Sequence, residues 1–362
     1  MVMREIRVAP KTGIKVNPNA YADIKSMRDI GYRLETVLAD LIENSIAAGA
    51  TEINLFSDVT NGDPRIAILD NGTGMTESEL IEVMRPGSRS PFAPGKSVHS
   101  RRVGIGLKRG PFSLCRRVTH VSRKGGDTCV AIWDLDRSAE ANDWMMQIPD
   151  DPLSIPWADH LADTGTLIVW EKLDRFTEEA GEAVIDVATF NEQLDFARSH
   201  LELVFHRYLS GESGLTRVRM SLNGNQLIPL DPFNPGHPAT IVGPVETILV
   251  SGHPVVLQTF RLPQRSEVSP AEWERYGGPG GYLVNQGFYV YRDKRSMVPG
   301  RWFGLARQTE LTELVRVRID TPSELDQEWI INRKMAYALP PRQVRERLRQ
   351  IIETITTTAN NV

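Results

Sequence analysis

Residues Asp40 to Thr51 read "DLIENSIAAGAT", and the reading of this stretch decides the fold. Upstream and within it, Leu34, Val37, Leu38, Leu41, Ile42 and Ile46 recur at the i, i+3, i+4 spacing of an amphipathic helix from about Gly31 to Ala48, with Gly49 placed to end it. Asn44 is a weak helix former among strong ones. Asp40 and Asn44 are four residues apart, so a helix aims both side chains at one place, away from the apolar face. A carboxylate and a carboxamide so arranged have a chemical use: the amide oxygen is a hard ligand for a hydrated Mg²⁺, and the carboxylate can take a proton from an attacking water. By itself such a pair on a helix is ordinarily just solvated.

Working outward, "TEINLFSDV" and "PRIAILDNGTGM" form a strand pair around the turn "TNGD". The second strand delivers Asp70 into a turn of Asn71, Gly72, Thr73 and Gly74. A carboxylate buried at a strand end can accept a hydrogen bond from an exocyclic amine such as that of adenine, while the glycines let a flat ligand approach the backbone. An Asx-capped β-turn explains the same residues about as well. Thr76 and Glu79 have capping-box spacing, which predicts a short helix over "TESELIEVM".

From Val83 to Gly126 there is no Asp or Glu, although the chain has 46 acidic residues, and 11 of its 42 basic residues fall there. A segment so charged meets an anion. It includes "RRVGIGLKRG", in which Gly104 and Gly106 precede a predicted helix whose free N–H groups would face a phosphate. The tempting "PGKS" at 94–97 is not a P-loop, because Ser90 stands where that loop needs glycine and no apolar strand precedes it. "RVTHVSRKG", "TCVAIWDL" and "TGTLIVWEKL" are predicted strands, the last beginning at Gly165-Thr166, and "FNEQLDFARSHLELVFHRYL" a helix. A hairpin is expected around Asn223-Gly224. "DPFNPGHPAT" (231–240), rich in Pro and Gly, is the candidate domain boundary. Beyond it, "ETILVSG", "PVVLQTFRL", "GYLVNQGFYVYRDKRSM" and "LVRVRIDT" are predicted strands, and a helix is predicted from Pro341 to about Thr357.

The chain of 362 residues is 41% hydrophobic and 24% charged, with a net charge of −4. These values fit a globular protein of two ordinary domains. No apolar run suggests a membrane span, and the N-terminus lacks the apolar core of a signal peptide. Cys115 and Cys129 have no metal-type spacing, so a cytoplasmic chain with reduced thiols is expected.

The order of four motifs carries a resemblance: a helix with Asp40 and Asn44, then "DNGTGM", then the Gly-rich basic segment, then Gly165-Thr166. In this the chain resembles the GHKL ATPases, which include gyrase B, a heat-shock chaperone, histidine kinases and MutL. "DLIENSIAAGAT" is similar to the first motif of MutL, and "VGIGLKRG" to the third motif of MORC-type ATPases. The resemblance covers about residues 30–235, and "NQGFYVYRDKRSMVPGRWFGL" with "LDQEWIINRKMAYALPP" looks like the transducer domain that follows in such proteins. It implies an α+β fold: a Bergerat-type ATPase sandwich, a mixed sheet covered by helices, over 1–235 with an ATP lid at about 85–110, followed by a smaller α/β transducer domain over 236–362.

It further implies ATP and Mg²⁺ as ligands. Asn44 would hold the metal, Asp70 would bind the adenine amine with Thr166 assisting through water, and Gly72, Gly74 and Met75 would shape the base pocket. Gly104, Ile105, Gly106, Leu107 and Lys108 would wrap the phosphates, and Lys334 would reach the γ-phosphate. Two departures stand out. Asp40 occupies the position of the usual general-base glutamate, one methylene shorter, and Ala47 replaces an aspartate. A base misplaced by about 1 Å can lose on the order of a hundredfold in rate, so slow turnover is expected.

The expected function is an ATP-gated switch that closes, and dimerises, on Mg-ATP and acts with a separate effector protein in DNA processing or antiphage defence. The alternative is a nucleic-acid clamp, with Arg89, Arg101, Arg102, Arg116, Arg117 and Arg123 meeting phosphates and the aromatics of "FYVYRDKR" and "GRWFG" stacking on bases, although Phe288/Val290 and Tyr289/Tyr291 alternate like two faces of one strand. A histidine-kinase reading would need a phospho-acceptor histidine upstream, and no histidine precedes the first helix. Mismatch repair proper would need a C-terminal domain, for which the chain has no length.

Overall fold

The computed structural model describes residues 20–29, 31–60, 62–85, 110–149, 151–176, 186–332 and 337–360. The described residues form two main sheets with helices on them.

Helix α1 spans Ala20–Arg28 and α2 spans Leu34–Ala47. Helix α2 is followed by the hairpin of β1 (Glu52–Thr60) and β2 (Asp63–Asp70), then by α3 (Glu77–Met84), which opens on the expected Thr76/Glu79 capping box. Strands β3 (Cys115–Lys124), β4 (Asp127–Asp134), β5 (Met146–Gln147), β6 (Gly165–Leu173), β7 (Arg219–Leu222) and β8 (Asn225–Gln226) complete an eight-stranded sheet in the order β5-β4-β3-β6-β2-β1-β7-β8. It is antiparallel except where β1 meets β7.

The side-chain alternation of strands divides this sheet cleanly. Ile53, Leu55, Ile66, Ile68, Val118, Trp133, Ile168 and Trp170 pack under α2 and the helix Val187–Val204, whose Leu38, Leu41, Ile42, Phe190, Leu194 and Leu201 fill the core between them. Their neighbours Ala67, Leu69, Val121, Val130, Ile132, Leu167 and Val169 face the other way, under Ile155, Ala158 and Leu161 from the segment before β6. The sheet is therefore buried on both faces near its centre.

The second sheet contains β9 (Ile241–Val250), β10 (His253–Arg261), β11 (Gly287–Arg292), β12 (Arg295–Arg301) and β13 (Val315–Thr321) in the order β12-β11-β13-β10-β9. One face packs on the C-terminal helix Arg342–Asn360 through Val344, Leu348 and Ile351. On the other face Tyr289 and Tyr291 pack with Phe233 and Phe260, so the Pro- and Gly-rich stretch at 231–240 is anchored by a buried aromatic rather than loose. A two-stranded ribbon, β14 (Ile330–Asn332) and β15 (Tyr337–Leu339), precedes the last helix.

Three expectations are corrected. Gly281–Val284 is a short helix, not the start of a strand; four apolar residues cannot distinguish the two by periodicity. The predicted long helix breaks at Phe205 into Val187–Val204 and His206–Ser210. The aromatics of "FYVYR" offer no stacking surface, because Phe288 and Val290 are buried on one face of β11, Tyr289 and Tyr291 on the other, and Trp302 of "GRWFG" is also buried.

Candidate functional site

Strand alternation puts Asp70 on the same face of β2 as Ile66 and Ile68, toward the helices. In register, Asp70 lies opposite Thr166 on β6, and Thr166 lies opposite Ser122 on β3. Three adjacent strands thus each place one polar side chain in the row that closes an otherwise apolar face. Asp70 is 8% exposed, and Thr166 and Ser122 are buried as well.

Every one of these polar groups has a partner, as burial requires. Ser45 Oγ, on α2, donates to Asp70 Oδ2 at 2.7 Å, and the Gly72 amide donates to Asp70 Oδ1 at 2.9 Å. Ser122 Oγ donates to Gly165 O at 3.0 Å, accepts from the Met75 amide at 2.8 Å and lies 2.9 Å from Thr166 Oγ1. Burial pushes the Asp70 carboxyl up from its ordinary value, while the hydrogen bonds from Ser45, Gly72 and the Thr166 backbone pull it part of the way back.

The turn that follows is built to bring the chain close. At Gly74, with φ +64°, a Cβ would fall 2.0 Å from Arg123 O; at Gly72 it would lie 3.0 Å from Ala48 Cβ, Ala48 O and Asp70 Oδ1. The Thr73 amide donates to Ala48 O at 3.0 Å, which ties the turn to the end of α2. Asn71 faces away from the cluster: its Oδ1 accepts from the Thr51 and Glu52 amides, both at 2.9 Å.

Asn44 directly precedes Ser45 in the last turn of α2. Its Nδ2 is buried and has no hydrogen-bond partner among the described residues, so the amide nitrogen is not committed to the protein's own network. This fits a side chain whose N–H₂ donates to an outside partner, and the oxygen of the same carboxamide is of the donor class Mg²⁺ accepts. One turn earlier, Asp40 Oδ1 accepts from Arg295 Nη2 at 3.0 Å. Arg295 also pairs with Glu43 through Nη1, and Arg292 Nη1 donates to Glu43 Oε1 at 3.0 Å. Both arginines belong to the second sheet.

The structure brings Asp70, Gly72, Gly74, Met75 and Thr166 together beside the last turn of α2, which carries Asn44, while Asp40 lies one turn earlier, in the middle of that helix. Gly104, Ile105, Gly106, Leu107, Lys108 and Lys334 lie outside the described residues. Sequence reasoning missed Ser45, Ser122, Glu43, Arg292 and Arg295. Ser122 had a legible signal, being polar at a position that alternation assigns to an apolar face.

The basic stretch is partly corrected. Arg116 pairs with Asp136 and Asp174, Arg117 with Glu171 and Lys124 with Glu79, while Arg123 donates to Thr128 Oγ1, Leu161 O and Ala162 O. These β3 cations each have partners within the fold, with Arg116, Arg117 and Lys124 still a third or more exposed. Arg89, Arg101 and Arg102 lie outside the described residues.

Residues 32–163 match the family model described as "Histidine kinase-, DNA gyrase B-, and HSP90-like ATPase". A 96-residue stretch, 26% of the chain, is 31% identical to the DNA mismatch repair protein MutL of Rhodopseudomonas palustris strain HaA2, and covers 16% of it. A 48-residue stretch, 13% of the chain, is 46% identical to MutL of another strain of that species and covers 8% of it. The chain thus matches less than a fifth of the length of either relative. Residues 32–163 are thus similar to this ATPase family, part of that segment is similar to MutL, and the described residues have a two-sheet α+β fold consistent with that likeness.

Proposed function

Taking the GHKL-superfamily fold as premise, we propose that this chain is a cytoplasmic, slowly hydrolysing, ATP-gated switch. The observation that carries the reading is the polar row Asp70–Thr166–Ser122, fastened to α2 by Ser45, with the buried, unpartnered amide nitrogen of Asn44 next in the chain. Asp70 accepts from the adenine amine, Thr166 supports the ring edge through water, and Gly72, Gly74 and Met75 line the base pocket. Asn44 would hold Mg²⁺, which when bound neutralises charge on the phosphates. Gly104, Ile105, Gly106, Leu107 and Lys108 in the lid would cradle the phosphates, and Lys334 would reach the terminal one. Asp40 orients the attacking water and takes its proton.

The domains divide near residue 235, and nucleotide binding draws the lid and the second domain onto the first, with dimerisation of the N-terminal domain. A separate effector in DNA processing or antiphage defence would read that state. The experiment is Mg-ATP binding and turnover for the wild type and Asp40→Asn. Retained binding with turnover lost supports the reading, and turnover unchanged in Asp40→Asn removes Asp40 as the base.

A second reading, a nucleic-acid clamp with ATP in a regulatory role, rests on the acid-free stretch from Val83 to Gly126. The pairing of the β3 arginines within the fold weakens it. Salt-dependent DNA retention in a filter-binding titration would favour it.

A further inference from the structure

Strands β11 and β12 are joined by Asp293 and Lys294, both with positive φ, 48° and 71°. Such a tight turn lets two successive strands present side chains at one end. Here the end abuts α2. Arg295, with its side chain 5% exposed, donates to Asp40 Oδ1 at 3.0 Å and pairs with Glu43. Arg292, 7% exposed, donates to Glu43 Oε1 at 3.0 Å and to Asp326 Oδ1 at 2.8 Å. The Arg295 guanidinium stacks over Phe205, 5.5 Å from the ring centre, and Tyr208 Oη holds the turn by donating to Asp293 O at 2.7 Å. An arginine buried this deeply, stacked and bonded to two carboxylates, is fixed in place.

We infer that Arg295 is a positioning residue for Asp40, so that the second sheet sets the geometry of the water-activating carboxylate. The inference rests on the ATP-site reading above and adds how that site is controlled. Asp40 has a stem one methylene shorter than glutamate and less freedom to adjust its carboxylate. Its orientation therefore depends on what grips it, and a charge-assisted grip comes from a strand 255 residues away in sequence. A shift of the β11–β12 turn against α2 moves the carboxylate with it, and about 1 Å of misplacement costs on the order of a hundredfold in rate. Turnover thus reports how the second sheet is seated on α2.

The experiment measures kcat and KM for Mg-ATP, with circular-dichroism melts to check folding, on the wild type, Arg295→Met, Arg295→Lys and Arg292→Met. Arg292 belongs to the same interface and grips Glu43 and Asp326, without a hydrogen bond to Asp40. Arg295→Met is expected to lower kcat by about tenfold or more at a KM within about threefold of wild type, the signature of an interaction used after binding. Arg295→Lys keeps the charge but loses the fork and falls between the two, while Arg292→Met stays within about threefold of wild-type kcat.

Should Arg295→Met not fold, Arg295→Lys alone decides, with lowered kcat at unchanged KM supporting the inference and wild-type kcat overturning it. The inference is overturned if Arg295→Met leaves kcat unchanged or raises it, if Arg292→Met loses as much, or if the wild type binds Mg-ATP without turning it over. Failure of the wild type to bind Mg-ATP would instead bring down the site reading itself.

Discussion

Ser45 Oγ donates to Asp70 Oδ2 across 2.7 Å and so fastens the helix that carries Asn44 to the strand end that carries the buried carboxylate. Because Ser45 follows Asn44 directly, one hydrogen bond holds the proposed base-binding and metal-binding ends of the site in register. A hydrogen bond to a charged group contributes about 1.5–3 kcal/mol, so Ser45→Ala should destabilise the protein by that order and weaken ATP binding. Urea unfolding and a nucleotide titration check both. A variant as stable as wild type would mean that the bond does not hold the site.

The buried carboxyl also makes a prediction about pH. Burial raises the Asp70 carboxyl above its unfolded value of about 3.9. Between those two values the folded state binds more protons than the unfolded one, so this group's contribution to stability falls as pH rises through that window and stays low above it. Asp70→Asn removes the term while keeping the shape. The melting temperature of the variant minus that of wild type should therefore grow more positive from pH 4 toward neutrality. A difference independent of pH would contradict the assignment of a desolvated carboxylate.

The two glycines of the turn should differ in their tolerance of alanine. Gly74→Ala combines a positive φ with a Cβ 2.0 Å from the Arg123 carbonyl oxygen, so the backbone must move. It should cost several kcal/mol, on the order of 3 or more. Gly72→Ala meets contacts of 3.0 Å, one of them Asp70 Oδ1, and should leave the protein folded while reducing nucleotide affinity. Thermal melts and binding separate the two.

The two sheets should be hard to pull apart at Arg207. It pairs with Glu212 and with Asp320 of β13 while its own side chain is almost fully buried, and those carboxylates hold its guanidinium charged despite the burial that opposes it. Arg207→Met leaves Asp320 with Arg318 at 3.5 Å and Glu212 with Lys294 at 3.8 Å, so the loss is that of charge-assisted hydrogen bonds rather than of stranded charges, about 1.5–3 kcal/mol. Denaturant unfolding measures it, and a loss below about 1 kcal/mol would place the pair among ordinary surface ion pairs.

Much of the first sheet and of the site was legible because the signals are local and periodic. The apolar stripe of α2, the β1–β2 hairpin, the Thr76 cap and Asp70 at a strand end all lie within a few residues of the features that specify them. What sequence could not show is pairing at long range. Nothing local marks Arg295 and Arg292, and only the tertiary fold sets them against Asp40 and Glu43 on a helix about 250 residues earlier. The basic character of β3 misled for a related reason, since its partners Glu171, Asp136 and Asp174 come from other elements.

Magnesium dependence tests Asn44 separately. Chelating Mg²⁺ should weaken ATP binding by the wild type by about tenfold or more, while Asn44→Ala, lacking the proposed metal ligand, should bind weakly and respond little to chelation. An unchanged response in Asn44→Ala would move the metal elsewhere.

The most direct measurement is calorimetric titration of Mg-ATP into wild type and Asp70→Asn, each shown by its melt to be folded. Asn presents an N–H₂ group where the carboxylate is proposed to accept from the purine amine, so heat of binding should appear for wild type and vanish or weaken by about a hundredfold in the variant. Equal affinity in the two proteins would show that the nucleotide does not sit against Asp70.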